Sequence, residues 1–228
     1  MTVLHLADET EAADLAAFLS RLLHYDRAAA VRLQAAGTAL AVFGRPPSFE
    51  VLAVRAVRLA KPYENGLDVT LDATVSAGEL LESVDEKAAT AAVPPAVTGP
   101  PWAGVLPPRG GWQPEPGLPA ADSLRDMVAA AVAEFRSRTA QLAPEARTRA
   151  ELDRIGREIW SRTVGATPLP VRAVHAAQSL GFLRPFPASG GGEEPGLFSS
   201  GAWLRLRTPY GSIAVRRAGL GTLGVRVR

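Results

Sequence analysis

The last quarter of the chain places positive charge in a strand-like pattern. From Trp203 onward, leucine and arginine alternate, and because successive strand side chains point to opposite faces, the arginines fall opposite the leucines. The same alternation recurs around Ile213 and in the last four residues. The arginines that this pattern assigns to one sheet surface are Arg205, Arg207, Arg216, Arg226 and Arg228. We expect this surface to face a polyanion, a partner protein or the chain's own first domain.

A second candidate surface lies on a short helix that follows Pro170. Three helices followed by a hairpin are the order of a winged helix-turn-helix, whose third helix enters the major groove. In this interpretation the base-reading side chains are Arg172, His175, Gln178 and Ser179. The turn Pro209-Tyr210-Gly211 then forms the wing. Two features weigh against duplex DNA: this helix has one arginine, and the connection from Leu183 to Trp203 is long for a compact wing.

Residue patterns typical of catalysis or metal binding are sparse. The histidines at positions 5, 24 and 175 have no second histidine or paired carboxylate at metal-ligand spacing. Residues 219–224 match the spacing G-x-G-x-x-G, but only four residues follow, too few for the helix that a dinucleotide fingerprint requires. The sequence therefore predicts no catalytic residue, cofactor or metal. A site assembled from distant residues would leave no local motif, so an enzyme stays open.

Composition narrows the class of protein. The chain has 228 residues and no cysteine, which excludes disulfides, thiolate metal sites and a cysteine nucleophile. The longest uncharged run, residues 88–108, contains six prolines and cannot form a spanning helix. The N-terminus lacks the basic start and apolar stretch of a signal peptide. We expect a cytoplasmic protein that does not enter a membrane.

Charge divides the chain into two unlike parts. Residues 1–118 carry 9 basic and 14 acidic side chains, whereas residues 119–228 carry 16 basic and 9 acidic ones. Such a division predicts a polyanionic partner for the basic part, or docking of the two parts on each other. The choice of arginine over lysine is only weak support for a polyanionic partner, because 23 of the 25 basic residues in the whole chain are arginine.

Periodicity predicts the elements of the first part. Residues 8–25 form an amphipathic helix, and residues 29–34, 38–43, 49–59 and 67–75 alternate as strands do. Ser76 and Glu79 match a capping box that opens a helix reaching about residue 87. The order predicts an α+β domain over residues 1–92, with an antiparallel sheet.

The remainder is predicted to be a connector and a second domain. Residues 93–119 hold nine prolines with Trp102 and Trp112, which indicates an irregular segment pinned across a domain surface. Residues 120–228 are predicted to form three helices and a small antiparallel sheet. The third helix should end at Gly181 with Phe182 folded back, and residues 188–201 should be mobile. The main hypothesis is a non-enzymatic protein-interaction or assembly module that binds a partner or itself; the alternative is a winged-helix DNA-binding protein.

Overall fold

The computed structural model describes residues 2–60, 71–100, 102, 105–185 and 194–217. The elements of the first half are β1 (Val3–His5), α1 (Glu9–Tyr25), β2 (Ala30–Ala36), β3 (Ala39–Gly44), β4 (Leu52–Arg58), β5 (Asp72–Ser76), α2 (Ala77–Glu82), β6 (Val84–Asp85) and β7 (Thr90–Ala92). The carboxylate of Asp8 begins α1 by accepting from the Glu11 amide at 2.9 Å. The Ser76 hydroxyl begins α2 by accepting from the Glu79 amide at 3.4 Å. Both helix starts lie where the sequence predicts them.

The second half adds further helices and strands. They are β8 (Gln113–Glu115), α3 (Ala121–Ala140), a 3-10 turn (Pro144–Ala146), α4 (Arg149–Trp160), α5 (Val171–Ser179), β9 (Gly196–Ser200), β10 (Trp203–Thr208) and β11 (Gly211–Arg216). Gly181 ends α5 with a φ of 77°. The Phe182 amide donates back to the Ala177 carbonyl at 2.7 Å, and Phe182 is buried. This is the predicted left-handed cap. None of the described helices is both long and apolar enough to cross a membrane.

The mixed helix and antiparallel-sheet class is confirmed. Strands β1, β7 and β6 form a small three-stranded sheet, but eight strands drawn from both halves join into one larger sheet. Its order is β5-β2-β3-β4-β11-β10-β9-β8, and all of its pairs are antiparallel. The junction is the β4–β11 pair, in which Ile213 lies opposite Ala53. The prediction of a separate small sheet in the C-terminal part was therefore wrong. Four consecutive residues are buried in each of these strands, as expected of central strands covered on both faces.

Two further expectations change. Residues 188–201 were expected to be mobile, yet Gly196–Ser200 form β9, which pairs with β10. Pairing with β8 and β10 satisfies the backbone N–H and C=O groups of β9. The Gly and Ser composition of the segment does not predict this pairing. The hairpin of β10 and β11 lies inside the eight-stranded sheet, between β4 and β9. The last alternating run, with Arg226 and Arg228, lies outside the described residues.

One face of the sheet packs against the helices of both halves. Leu15 and Phe18 of α1 lie in the same core as Leu206 and Ile213 of the hairpin. The Phe18 and Phe182 rings stack with centroids 5.6 Å apart. Because a single core contains residues from both halves, each half covers apolar surface of the other.

The proline-rich segment covers the opposite face. Ala96 bridges to Val75 on the β5 edge, and β8 pairs with β9 at the other edge. Between them Trp102 is only 6% exposed and packs against Leu52 and Val54, beside Ala214. These contacts confirm that the segment is held against the protein. Burying a tryptophan side chain stabilises by about 1.5–3 kcal/mol or more.

Candidate functional site

The described arginines of the C-terminal hairpin share one face but lie against aromatic rings. Trp203 pairs with Arg216, and Arg205 with Ala214, so Arg205, Arg207 and Arg216 point to the same side. Their guanidinium carbons lie 5.7, 4.8 and 4.9 Å from the ring centroids of Trp112, Phe198 and Trp203, respectively. Burial, with Arg207 nearby, lowers the pKa of Arg205. Each cation is thus already in a cation–π contact.

The four residues assigned to base reading are divided by the fold. Helix α5 packs against α3 and β11, and its buried positions include Val174 and Ala177. Of the four, Gln178 is exposed and Ser179 is half-buried. Arg172 and His175 turn instead into a groove. The helix therefore presents no open row of these four side chains.

That groove, which we call the aromatic groove, has a volume of about 1200 Å³. The segment between β3 and β4 forms one side with Pro47, Ser48 and Phe49. Helices α3 and α4 form the other side, while α5 contributes Arg172 and His175. Tyr25 at the end of α1 also lines it, so five separate segments build this concavity and no single stretch of sequence contains it.

A continuous series of rings lines the aromatic groove. Tyr25 meets Phe49 edge-on at 5.1 Å between centroids, and Phe49 meets His175 in the same way at 5.1 Å. His175 stacks on Trp160 at 4.6 Å, and Trp160 lies 6.1 Å from Phe135. These spacings are those of favourable aromatic pairs. The rings are partly exposed, except for Phe49, which is buried.

His175 behaves as one of these rings. Burial lowers its pKa from the ordinary value of 6.5, because the protonated imidazolium loses hydration between Trp160 and Phe49. The neutral ring is therefore the main form at pH 7. No cluster of three or more His, Cys, Asp or Glu residues occurs in the described part of the chain.

Positive charge surrounds the rings. The charged residues that line the aromatic groove are Glu50, Arg136, Arg149, Asp153, Arg157 and Arg172. Arg149 lies 3.8 Å from Asp153, and Arg172 lies 4.0 Å from Glu50. Within the described residues, Arg136 and Arg157 have no ion pair, and Arg172 Nε is buried without a hydrogen bond. The cations exceed the local acids by two.

Helix α4, one wall of the groove, is fixed to α3 by an ion-pair network. Arg138 donates to both carboxylate oxygens of Glu158, at 2.7 and 2.8 Å. Arg162 donates in the same way to Glu134, at 2.5 and 2.8 Å. The bonds from Arg138 lower the pKa of Glu158 to about 2. This network holds Trp160 in position beside Phe135.

A second charged cluster joins the two halves. Arg55, buried in β4, donates to Glu11 at 2.9 Å and to Asp14 at 3.2 Å. Asp14 also accepts from Arg184 at 2.7 Å, and the Arg184 guanidinium lies over the Tyr210 ring. The cavity beside this cluster measures only about 10 Å³, about one water probe. We interpret the cluster as a structural joint.

Sequence reasoning placed His175 and Arg172 correctly on a short helix but missed the rings around them. Trp160 was the detectable signal, since it falls just beyond the Leu152, Ile155 and Ile159 stripe of α4. Phe49 lay within a predicted strand, although it belongs to the loop before β4. The rings also contact α4 at Gly156, where a Cβ would lie at ordinary contact distances of 3.5 Å from Trp160 and 3.6 Å from Phe135.

Comparison with known proteins gives two family matches. A model described as Domain of unknown function (DUF8010) matches residues 1–104, which include α1, β4 and Trp102. A second model matches residues 107–220, which include α3, α4, α5 and the C-terminal hairpin. No curated protein and no solved structure gives a significant match to the chain. Since the second model spans half of the chain, the protein belongs to the family described as Domain of unknown function (DUF8185).

Proposed function

We propose that this protein is a protein-interaction module that binds a chain segment of its partner in the aromatic groove. The observation that carries the proposal is the series of rings from Tyr25 to Phe135, which lines an open concavity. Aromatic and arginine side chains are the ones most enriched at binding hot spots. Their combination here supports recognition.

The size of the groove favours a peptide segment over a small ligand. Pockets for small molecules measure about 300–1,000 Å³ and enclose most of the ligand. The aromatic groove, at about 1200 Å³, is larger. It is bordered by exposed residues such as Arg136 and Arg157. A chain segment can lie along such a groove and continue beyond both ends.

Duplex-DNA binding through the hairpin arginines is the alternative function. Three arginines on one sheet face favour it, but their cation–π contacts with Trp112, Phe198 and Trp203 reduce that support. If these three side chains neutralise phosphates, log affinity should fall against log salt with a slope of roughly −3. Failure of the full chain to bind duplex DNA at low salt would exclude this alternative.

The proposed function is tested by site-specific photocrosslinking in cells of the source organism. A photoreactive amino acid replaces Leu152, which lines the groove, or Lys87, which is exposed beyond α2 and lies outside it. We expect a discrete protein adduct from position 152 only, identified by mass spectrometry. Adding Trp160→Ala should remove this adduct, because the substitution interrupts the ring series.

Two controls make the result decisive. Circular dichroism and thermal melting must show that the variants fold. If Trp160→Ala does not fold, Phe135→Leu provides a milder interruption of the ring series. If positions 152 and 87 gave the same set of protein adducts, the proposal would be contradicted. Absence of any protein adduct at position 152 under conditions where the protein is folded would also contradict it.

A further inference from the structure

We infer that the segment bound by the aromatic groove is acidic, with carboxylates flanking an apolar or aromatic anchor residue. This inference rests on the proposed function and names the partner's chemistry. It follows from how charge and apolar surface are distributed within the same concavity. Rings and aliphatic side chains occupy its interior, and arginines border it.

The charge balance indicates an anionic occupant. Six charged residues line the groove, four arginines and two acids. The acids lie near two of the arginines, Arg149 and Arg172. Arg136 and Arg157 have no ion pair with any described residue and are exposed. Carboxylates of a partner would provide ion pairs for these two guanidinium groups.

Apolar and positive positions alternate along the walls. On α3, Val132 and Phe135 are followed at once by Arg136. On α4, Leu152 and Gly156 precede Arg157, and Trp160 follows within one turn. An anchor side chain that contacts the rings therefore brings its chain neighbours within reach of guanidinium groups. Because bidentate pairing favours planar carboxylates, spaced Asp and Glu residues fit this arrangement.

A peptide fits this charge pattern better than a nucleic acid does. Glu50 and Asp153 also line the groove and would repel an unbroken row of phosphates. A peptide places its carboxylates only at selected positions and presents apolar side chains between them. Charge reversal at the two arginines without ion pairs should then weaken binding on the order of tenfold or more.

The test is selection from a displayed library of random peptides against the full chain. The discriminating variant is Arg136→Glu with Arg157→Glu. Its matched control is Lys87→Glu with Arg109→Glu, which changes net charge equally at exposed positions outside the groove. A third variant, Leu152→Asp, adds an acid to the groove lining without altering the buried core. Fluorescence anisotropy with the selected peptides then measures Kd for each protein.

We expect the selected peptides to be rich in Asp and Glu around a Phe, Trp or Leu. Their Kd should rise at least about tenfold in the Arg136/Arg157 and Leu152 variants, stay unchanged in the Lys87/Arg109 control, and rise with salt. Peptides that bind the groove without an acidic excess would overturn this inference and leave the proposed function standing. Selection of no groove-dependent peptide would overturn both.

Two other occupants are distinguishable outcomes. Light scattering that shows a concentration-dependent oligomer lost in the Arg136/Arg157 variant would replace the external partner with a second copy of this chain. Duplex DNA could also bind the wild type and displace the peptides but not bind the Arg136/Arg157 variant. This outcome would assign the groove to nucleic acid. Either result overturns the acidic-peptide inference.

Discussion

Arg55 donates a hydrogen bond to the backbone carbonyl oxygen of Tyr210 at 2.8 Å, across 155 residues of sequence. The same guanidinium binds the carboxylates of Glu11 and Asp14 on α1. One side chain of β4 thus connects the first helix to the turn of the C-terminal hairpin. The residues that it joins belong to the ranges matched by the two different family models.

Arg55→Met should destabilise the protein by about 1–3 kcal/mol, because Glu11 loses its buried partner and keeps only the hydrogen bond from the exposed Arg58. The matched control is Arg32→Met, which removes a more exposed ion pair between Arg32 on β2 and Asp72 on β5 and should cost about 0–1 kcal/mol. Urea denaturation measures both. Equal losses for the two variants would show that the Arg55 cluster is not a structural joint.

Residues 1–106 should not form a stable monomer when produced alone. Without β11, strand β4 becomes an unpaired edge with buried residues on both faces, a site for aggregation. Coexpression with residues 107–228 should restore a soluble one-to-one complex, measured by light scattering. A soluble, cooperatively melting 1–106 monomer would contradict the view that the two halves share one core.

His175 should make stability fall on acidification. Since burial lowers its pKa in the folded protein, the unfolded chain binds the proton more readily. Its contribution is complete above the ordinary pKa of 6.5 and is lost as the pH falls through the lower folded value. His175→Phe keeps a stacking ring and removes the titration. Melting temperatures of wild type and variant should therefore diverge below pH 6.5; parallel curves would refute the assignment.

Glu158 should titrate at about pH 2, because Arg138 donates to its charged form. Its stabilising pairing is complete above the ordinary pKa of 4.5 and disappears as the pH falls through about 2. Carbon-detected NMR of the carboxyl group measures the midpoint directly. In Arg138→Met the midpoint should move towards 4.5. An unshifted wild-type midpoint would mean that the α3–α4 network is not formed in solution.

Two glycine substitutions should act in opposite directions. A Cβ on Gly211 would lie 2.5 Å from the Phe182 ring, so Gly211→Ala should destabilise by about 1–3 kcal/mol. At Gly156 the nearest atoms are 3.5 Å away, and alanine should stabilise α4 by about 0.5–1 kcal/mol. Thermal denaturation compares them. A stable Gly211→Ala variant would contradict the close packing of the hairpin turn on Phe182.

The sequence by itself determined the local elements of this protein. Alternation located β2, β3 and β4, and the Ser76 capping box located the start of α2, because periodicity and caps depend on near neighbours. The Gly181 cap was predictable for the same reason. The tryptophans also indicated correctly that the proline-rich segment is held against the protein, since exposed linkers rarely need large apolar groups.

Only the tertiary structure decided which strands pair and where a binding surface lies. β4 and β11 are buried on both faces, as central strands are, but their residues alone do not identify their neighbours. The aromatic groove requires Phe49, Trp160 and His175 to meet from three distant segments. Such contacts depend on packing of the whole chain, so no local pattern records them. The fold likewise placed aromatic rings against the hairpin arginines and left Arg136 and Arg157 bordering the groove.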